Sequence, residues 1–376
     1  MLYLWSSISH ALKTWLKIAT LGLLLVILSI HFSPNAWAAD RVSRLPAGNA
    51  ITDGKALLRY ALPIDNKSMR EVQQSLEDIA TQLRANKRWG AISKDLAKAS
   101  KILTNRQSDL LASIPETRQP TAEALITQIQ AGIEALQPFV EAKDKEKVWE
   151  GRSNLLAQVG QLEELMVQQF PFKVPDEYSN LPQLQGRATI AVKTNKGDLT
   201  LVVDGYSAPL TAGNFVDLVE RGFYNGLEFI RAEDSYVLQI GDPPGPEVGF
   251  IDPATGKYRG IPLEVLVEGD TEPTYGITLE DAGRYQDHPV LPFSAYGAVA
   301  LARPGDDPNG GSSQFFFFLF EPELTPAGLN LLDGRYAVFG YVVEGKEVLE
   351  KLKEGDKIES AKVTQGLENL VQPQVA

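Results

Sequence analysis

Two hydrophobic periods divide the chain. From about Asp65 to Phe170, apolar residues recur at three- and four-residue intervals. The first stripe is Met69, Val72, Leu76, Ile79 and Leu83, and the second is Trp89, Ile92, Leu96, Ala99 and Leu103. The third is Leu125, Ile129, Ile133, Leu136 and Val140, and the fourth is Val148, Leu155, Val159, Leu162 and Met166. This spacing puts each set on one helical face and predicts a four-helix antiparallel bundle over residues 65–170, with the stripes as its core. Gly90, Pro115, Pro120 and Asp144 fall near the breaks, and Pro171 and Pro175 open a linker over 171–187. Residues 39–64 read as extended and proline-broken. After Ala188 the period falls to two. Ala188 to Thr194 and Leu199 to Val203 alternate around Asn195-Lys196-Gly197-Asp198 as a hairpin. Short strands continue to about residue 366, with helices at Thr211 to Arg221 and Glu347 to Lys353, ahead of a tail at 367–376. Many short strands with two helices predict a closed antiparallel β-barrel with capping helices.

The densest apolar stretch is Ser312-Ser313-Gln314-Phe315-Phe316-Phe317-Phe318-Leu319-Phe320. It contains no breaker and reads as a strand buried on both faces. Side chains alternate along a strand, so Phe315, Phe317 and Leu319 share one side and Gln314, Phe316 and Phe318 the other. One face fills a barrel; the second must be covered or must wall an apolar pocket whose polar group is Gln314. Residues 243–296 break the pattern, with eight prolines, many acids and little regularity. Glu264, Glu268, Asp270, Glu272, Glu280, Asp281 and Asp287 lack calcium-loop spacing, which leaves surface charge or a partner-docking element.

Composition removes several chemistries. There is no cysteine, and His288 is the one histidine outside the first 38 residues, so thiolate sites, Cys nucleophiles and zinc enzymes are excluded. Charge is uneven: residues 39–175 carry +2 and residues 176–376 carry −16. The acidic half argues against nucleic acid as a partner, and the contrast is compatible with the two halves packing together. Lys13 and Lys17, the apolar run Ile18 to Ile30 and Ala36-Trp37-Ala38 read as a signal peptide over 1–38, cleaved before Ala39. Without an Arg-Arg pair, the general secretory route is expected. Left uncleaved, the run would be an anchor; cleaved, the chain is soluble and membrane-proximal.

Four motifs occur in order. They are Gly222-Phe223-Tyr224-Asn225-Gly226 leading to Phe229-Ile230-Arg231, then Val237-Leu238-Gln239-Ile240-Gly241-Asp242, then Ser313-Gln314-Phe315-Phe316, then Leu332-Asp333-Gly334-Arg335-Tyr336. Over 188–366 this order resembles the cyclophilin family of peptidyl-prolyl isomerases. The resemblance implies a catalytic role for Arg231, with Gln239 and Gln314 bracing it and bonding the peptide. It implies a groove formed by Tyr236, Val237, Ala302, Arg303, Phe316, Leu331, Leu332 and Tyr336. No metal or cofactor is implied, and the expected partners are proline-containing polypeptides. The chain departs from the family at Ile230, Tyr236, Val237, Leu331 and Tyr336. The leader, bundle and acidic insertion together resemble the large thylakoid-lumen cyclophilins of plants and cyanobacteria. That implies the thylakoid lumen or periplasm, with photosystem II assembly partners. A groove that binds clients without turnover is the alternative.

Overall fold

The computed structural model describes residues 51–85, 88–320 and 330–373; the leader and the segment before residue 51 lie outside it. Four long helices form where the apolar stripes fall. They are α2 (Lys67–Arg84), α3 (Trp89–Asn105), α5 (Gln119–Glu141) and α6 (Lys145–Met166), with a short α4 (Gln107–Ala112) between α3 and α5. Their stripes meet in one core that includes Met69, Leu76, Ile92, Leu103, Ile129, Val140, Leu155 and Met166. Helix starts follow local chemistry. Asn66 Oδ1 accepts from Met69 N at 2.8 Å and Asp144 Oδ1 from Lys147 N at 3.0 Å, each satisfying an amide that has no partner within its helix. Asn66 Nδ2 also donates to Asp109 O and Ser113 Oγ, which ties α4 to the start of α2.

The first helix is not where the spacing placed one. α1 (Gly54–Ala61) lies in the stretch expected to be extended; at eight residues it is too short to display a period. Asp53 caps it, and Leu57, Leu58 and Ala61 join the outer apolar layer of the sheet beside Tyr341, Phe316 and Phe318. Gly54 permits this approach, because a Cβ there would lie 2.7 Å from Tyr341 Cβ.

Arginines bridge α1, the bundle and the sheet. Glu77 of α2 accepts from Arg59 of α1 and Arg152 of α6, both at 2.5 Å. Arg187 pairs with Asp204 at 2.9 Å and Glu164 at 3.5 Å, and donates to Leu58 O. Arg187 therefore links the sheet to Glu164 of the bundle and to Leu58 of α1, while Arg59 ties α1 to Glu77 of the bundle.

Glu163 of α6 is fully buried, 3.5 Å from Arg70, with one carboxylate oxygen unpartnered. Burial pushes its carboxyl up to about 8, against the opposing pull of Arg70, Arg59 and Arg187; Glu77 adds a smaller push in the same direction. The folded chain thus holds this proton more tightly than the unfolded chain. The resulting stability is complete below the unfolded value of 4.5 and is lost as pH rises through about 8. Wild type should lose on the order of 3–4 kcal/mol from this group between pH 5 and 8. Glu163→Gln should flatten that slope in urea unfolding followed by circular dichroism. Equal slopes in the two proteins would remove Glu163 as its source.

The sheet has eight antiparallel strands. In chain order they are β2 (Arg187–Thr194), β3 (Gly197–Asp204), β4 (Arg231–Glu233), β5 (Val237–Ile240), β10 (Ala298–Leu301), β11 (Phe315–Phe318), β12 (Val338–Glu344) and β13 (Ile358–Gln365). They are arranged β13-β2-β3-β12-β10-β11-β5-β4. The expected closed barrel is corrected here: β4 and β13 are edges and do not pair as strands, so the sheet is a half-barrel. β4 has three residues, and the gap is crossed just outside the two edge strands, where an isolated bridge between Glu228 and Lys357 is flanked by backbone hydrogen bonds such as Gly226 N to Ile358 O and Phe229 N to Asp356 O, each 2.7 Å. Inside the curl, Phe315 and Phe317 pack with Phe215, Tyr224 and Phe339, covered by α7 (Pro209–Glu220). α8 (Lys346–Leu349) adds Val348 and Leu349 to the same core.

The linker and tail are also more ordered than expected. β1 (Gln183–Leu184) pairs with β14 (Leu370–Val371), and Val174 and Leu181 pack with Leu210 and Ile261. The 243–296 insertion is built from small hairpins: β6 (Ile251–Asp252) with β7 (Lys257–Tyr258), and β8 (Glu264–Val265) with β9 (Thr274–Tyr275). Its acids are not all surface charge. Asp270 and Asp287 each pair with Arg284 at 2.7 Å, and Glu280 pairs with Arg335 at 2.5 Å. Glu264 is buried, and its carboxylate accepts from Leu210 N and Thr211 N at the start of α7, where helix amides have no internal partner. The insertion is therefore part of the fold.

Candidate active site

Register assembles the site. Arg231 of β4 lies opposite Gln239 of β5, which lies opposite Phe316 of β11, which in turn lies opposite Ala300 of β10. Residues opposed across a ladder point to the same face, so Arg231, Gln239 and Phe316 form one row on the outer face of the sheet. Gln314 is two residues before Phe316 and falls on that face as well. Beside it the chain turns at Gly241, with φ of +104° and the Ser313 carbonyl 2.3 Å from where a Cβ would sit, so only glycine is tolerated there.

The row opens into a cavity of about 290 Å³. Its walls include Arg231, Tyr236, Val237, Gln239, Ala302, Arg303, Gln314, Phe316, Leu332 and Tyr336, all positions singled out in the sequence. The apolar end is organised around Phe316, whose ring is parallel to Phe293 at 5.9 Å and edge-on to Tyr336 at 5.5 Å. Asp333 supports this end: its carboxylate accepts from Phe293 N and Asn330 N, and Asn330 Oδ1 accepts from Leu332 N. Arg303 is held as a wall, donating to the carbonyls of Arg335, Pro304 and Gly305 with its guanidinium 5.1 Å from the Tyr336 ring.

The structure departs from the resemblance at three points. Leu331 is 87% exposed and is not part of the wall. The glutamines bond each other: Gln239 Nε2 donates to Gln314 Oε1 at 2.7 Å, and Gln314 Nε2 donates to Asp242 Oδ1 and Val248 O. Arg231 is paired with Glu233 instead of being braced by a glutamine, with Nε 2.7 Å and Nη2 2.6 Å from Glu233 Oε1. Sequence reasoning also missed part of the wall. Val248 and Tyr258 come from the insertion, and Pro304, Gly310 and Ser312 from the loop before β11. Tyr258 Oη donates to Gly310 O at 2.8 Å, and Phe250 N donates to Ser312 Oγ at 3.0 Å, which locks hairpin and loop together. Apolar residues within so proline-rich a stretch were the available signal.

A half-barrel with an arginine, two glutamines and an aromatic pocket on its outer face defines a cyclophilin-type domain. Comparison agrees: residues 189–369 match the cyclophilin type peptidyl-prolyl cis-trans isomerase family, and residues 53–167 match the PsbQ-like domain of CYP38-like peptidyl-prolyl cis-trans isomerases. A Synechocystis sp. protein named as a thylakoid lumen peptidyl-prolyl cis-trans isomerase is 58% identical over 95% of this chain and 95% of its own length. The chloroplastic peptidyl-prolyl cis-trans isomerase CYP38 of Arabidopsis thaliana is 45% identical over 94% of this chain and 84% of its own length. A solved cyclophilin of Cryptosporidium parvum is 22% identical, covering 47% of this chain and 99% of that one, with a TM-score of 0.33. The chain belongs to the cyclophilin-type peptidyl-prolyl cis-trans isomerases. Within them it is of the CYP38-like kind, with a PsbQ-like helical domain ahead of the isomerase domain.

Proposed function

We propose that this isomerase works in the thylakoid lumen, turning X-Pro bonds in exported polypeptides during the assembly of photosystem II. The observation that carries the catalytic part is the Arg231–Gln239–Phe316 row, a charged donor beside an apolar seat. Amide resonance sets an isomerisation barrier of roughly 18–20 kcal/mol, and twisting the bond breaks that resonance. The twisted nitrogen regains its lone pair, so a fixed donor stabilises the transition state more than either planar ground state. Phe316, Val237, Leu332 and Tyr336 grip the proline ring, and Arg231 supplies the donor. Gln314 and Gln239 present amide groups to the peptide backbone from a network already tied to Asp242 and Val248 O. No covalent step is required.

The compartment and partners rest on different support. The relatives are named for the thylakoid lumen and the chloroplast, the helical domain is PsbQ-like, and Met1 to Ala38 reads as a secretory leader. Protein recovered from its native host should begin at Ala39 by intact mass and should co-purify with photosystem II subunits from mildly solubilised membranes. A chain retaining Met1, recovered without those subunits, would count against both assignments. Turnover itself is tested by exchange spectroscopy on a proline peptide, in which wild type should accelerate interconversion over solvent. Peptide binding without acceleration would leave a client-holding groove.

A further inference from the structure

We infer that Glu233 is a positioning residue that restrains Arg231, setting a slow, salt-sensitive rate; this rests on the isomerase reading of the groove. Arg231 and Glu233 are separated by one residue on β4, so their side chains leave the same face. The hairpin holds Glu233 in place: Tyr236 N donates to Glu233 O at 3.0 Å, and Ser235 turns the chain at a φ of +57°. Left-handed backbone is uncommon outside glycine, so Ser235 marks a tight turn directly after Glu233. Glu233 Oε1 takes both Nε and Nη2 of the guanidinium. Gln239 lies directly opposite Arg231 in the ladder, yet its amide donates to Gln314.

Two consequences follow from this geometry. A peptide entering the groove meets an arginine with one edge of its fork already engaged and its charge partly neutralised. Full use of the donor in the transition state requires that the carboxylate yield, so the cost falls on the chemical step and not on docking of the proline ring. The pair is also half exposed, with both side chains at 49%, so dissolved salt screens it. Exposed pairs are weak, and releasing this one should change the rate only about two- to fivefold.

The test compares full-length mature wild type, Glu233→Gln and Glu233→Asp on one proline peptide across a range of sodium chloride concentrations. At low salt, Glu233→Gln should exceed wild type about two- to fivefold, chiefly in kcat. Glu233→Asp keeps the charge and should stay close to wild type. The advantage of Glu233→Gln should shrink as salt rises, a response that a purely structural role would not produce. An equal or slower Glu233→Gln at low salt, or an advantage independent of salt, overturns the restraint while leaving the isomerase reading in place. Failure of all three proteins to turn over the peptide overturns the isomerase reading and the restraint with it.

Discussion

Replacing Arg231 with alanine should lower kcat/KM for a proline peptide by about 10²–10³-fold, the usual cost of removing a preorganised donor from a site where transition-state stabilisation is electrostatic. The loss should appear mainly in kcat, because the apolar wall proposed to seat the proline ring, Phe316, Val237, Leu332 and Tyr336, is left in place by the substitution. The fold should survive, since the side chain is half exposed and fills no core. Arg231→Lys is the informative partner. It keeps the positive charge but loses the planar fork, so a large residual defect in lysine would assign the effect to geometry as well as charge. A peptide isomerisation assay with circular dichroism as the folding control reads all three proteins. Arg231→Ala within a few-fold of wild type would remove the arginine from the mechanism.

Glu77→Ala should cost about 3–5 kcal/mol of stability, because it strands two buried guanidinium groups. Arg59 and Arg152 are 9% and 8% exposed and approach different oxygens of the same carboxylate. Arg152 also donates to Leu76 O and Glu77 O, so it cannot swing out to water without breaking backbone contacts. Burial already works against its charge, and the carboxylate of Glu77 is the main group opposing that. Because Arg59 lies on α1, loss of Glu77 should also loosen α1 from the sheet. Urea unfolding followed by circular dichroism should show the lower midpoint, with amide exchange of residues 54–61 rising first. A midpoint within error of wild type would mean that the two arginines find other partners.

The sequence disclosed those parts of the molecule whose pattern repeats over enough residues to be read. Four helical stripes, each spanning at least four turns, became the bundle. Alternation in the phenylalanine run correctly separated Phe315 and Phe317, now inside the curl, from Phe316 on the groove. The groove residues were found through motif order; no local feature marks Arg231 as different from any strand arginine. What escaped was short or non-local. α1 has two turns, and the insertion strands have two residues each, so neither can show a period. Glu264 looked like surface charge because its partners, the amides of Leu210 and Thr211, lie more than fifty positions away in the chain. Leu331 was placed by its position in the motif, but the conformation of that loop exposes it. Glu233 was passed over because a carboxylate near a strand end ordinarily faces water. The open edge of the sheet follows from the three-residue length of β4, which propensity does not fix.

Turnover of X-Pro bonds in this groove should depend on Arg231. The most direct measurement is exchange spectroscopy on one proline peptide in which separate cis and trans signals are resolved. The peptide is taken alone, with catalytic amounts of mature wild type, and with Arg231→Ala at the same concentration. Exchange should rise above the solvent rate with wild type and return close to that rate with Arg231→Ala. Exchange at the solvent rate with wild type, while the peptide shifts signals of Phe316 and Tyr336, would contradict this expectation.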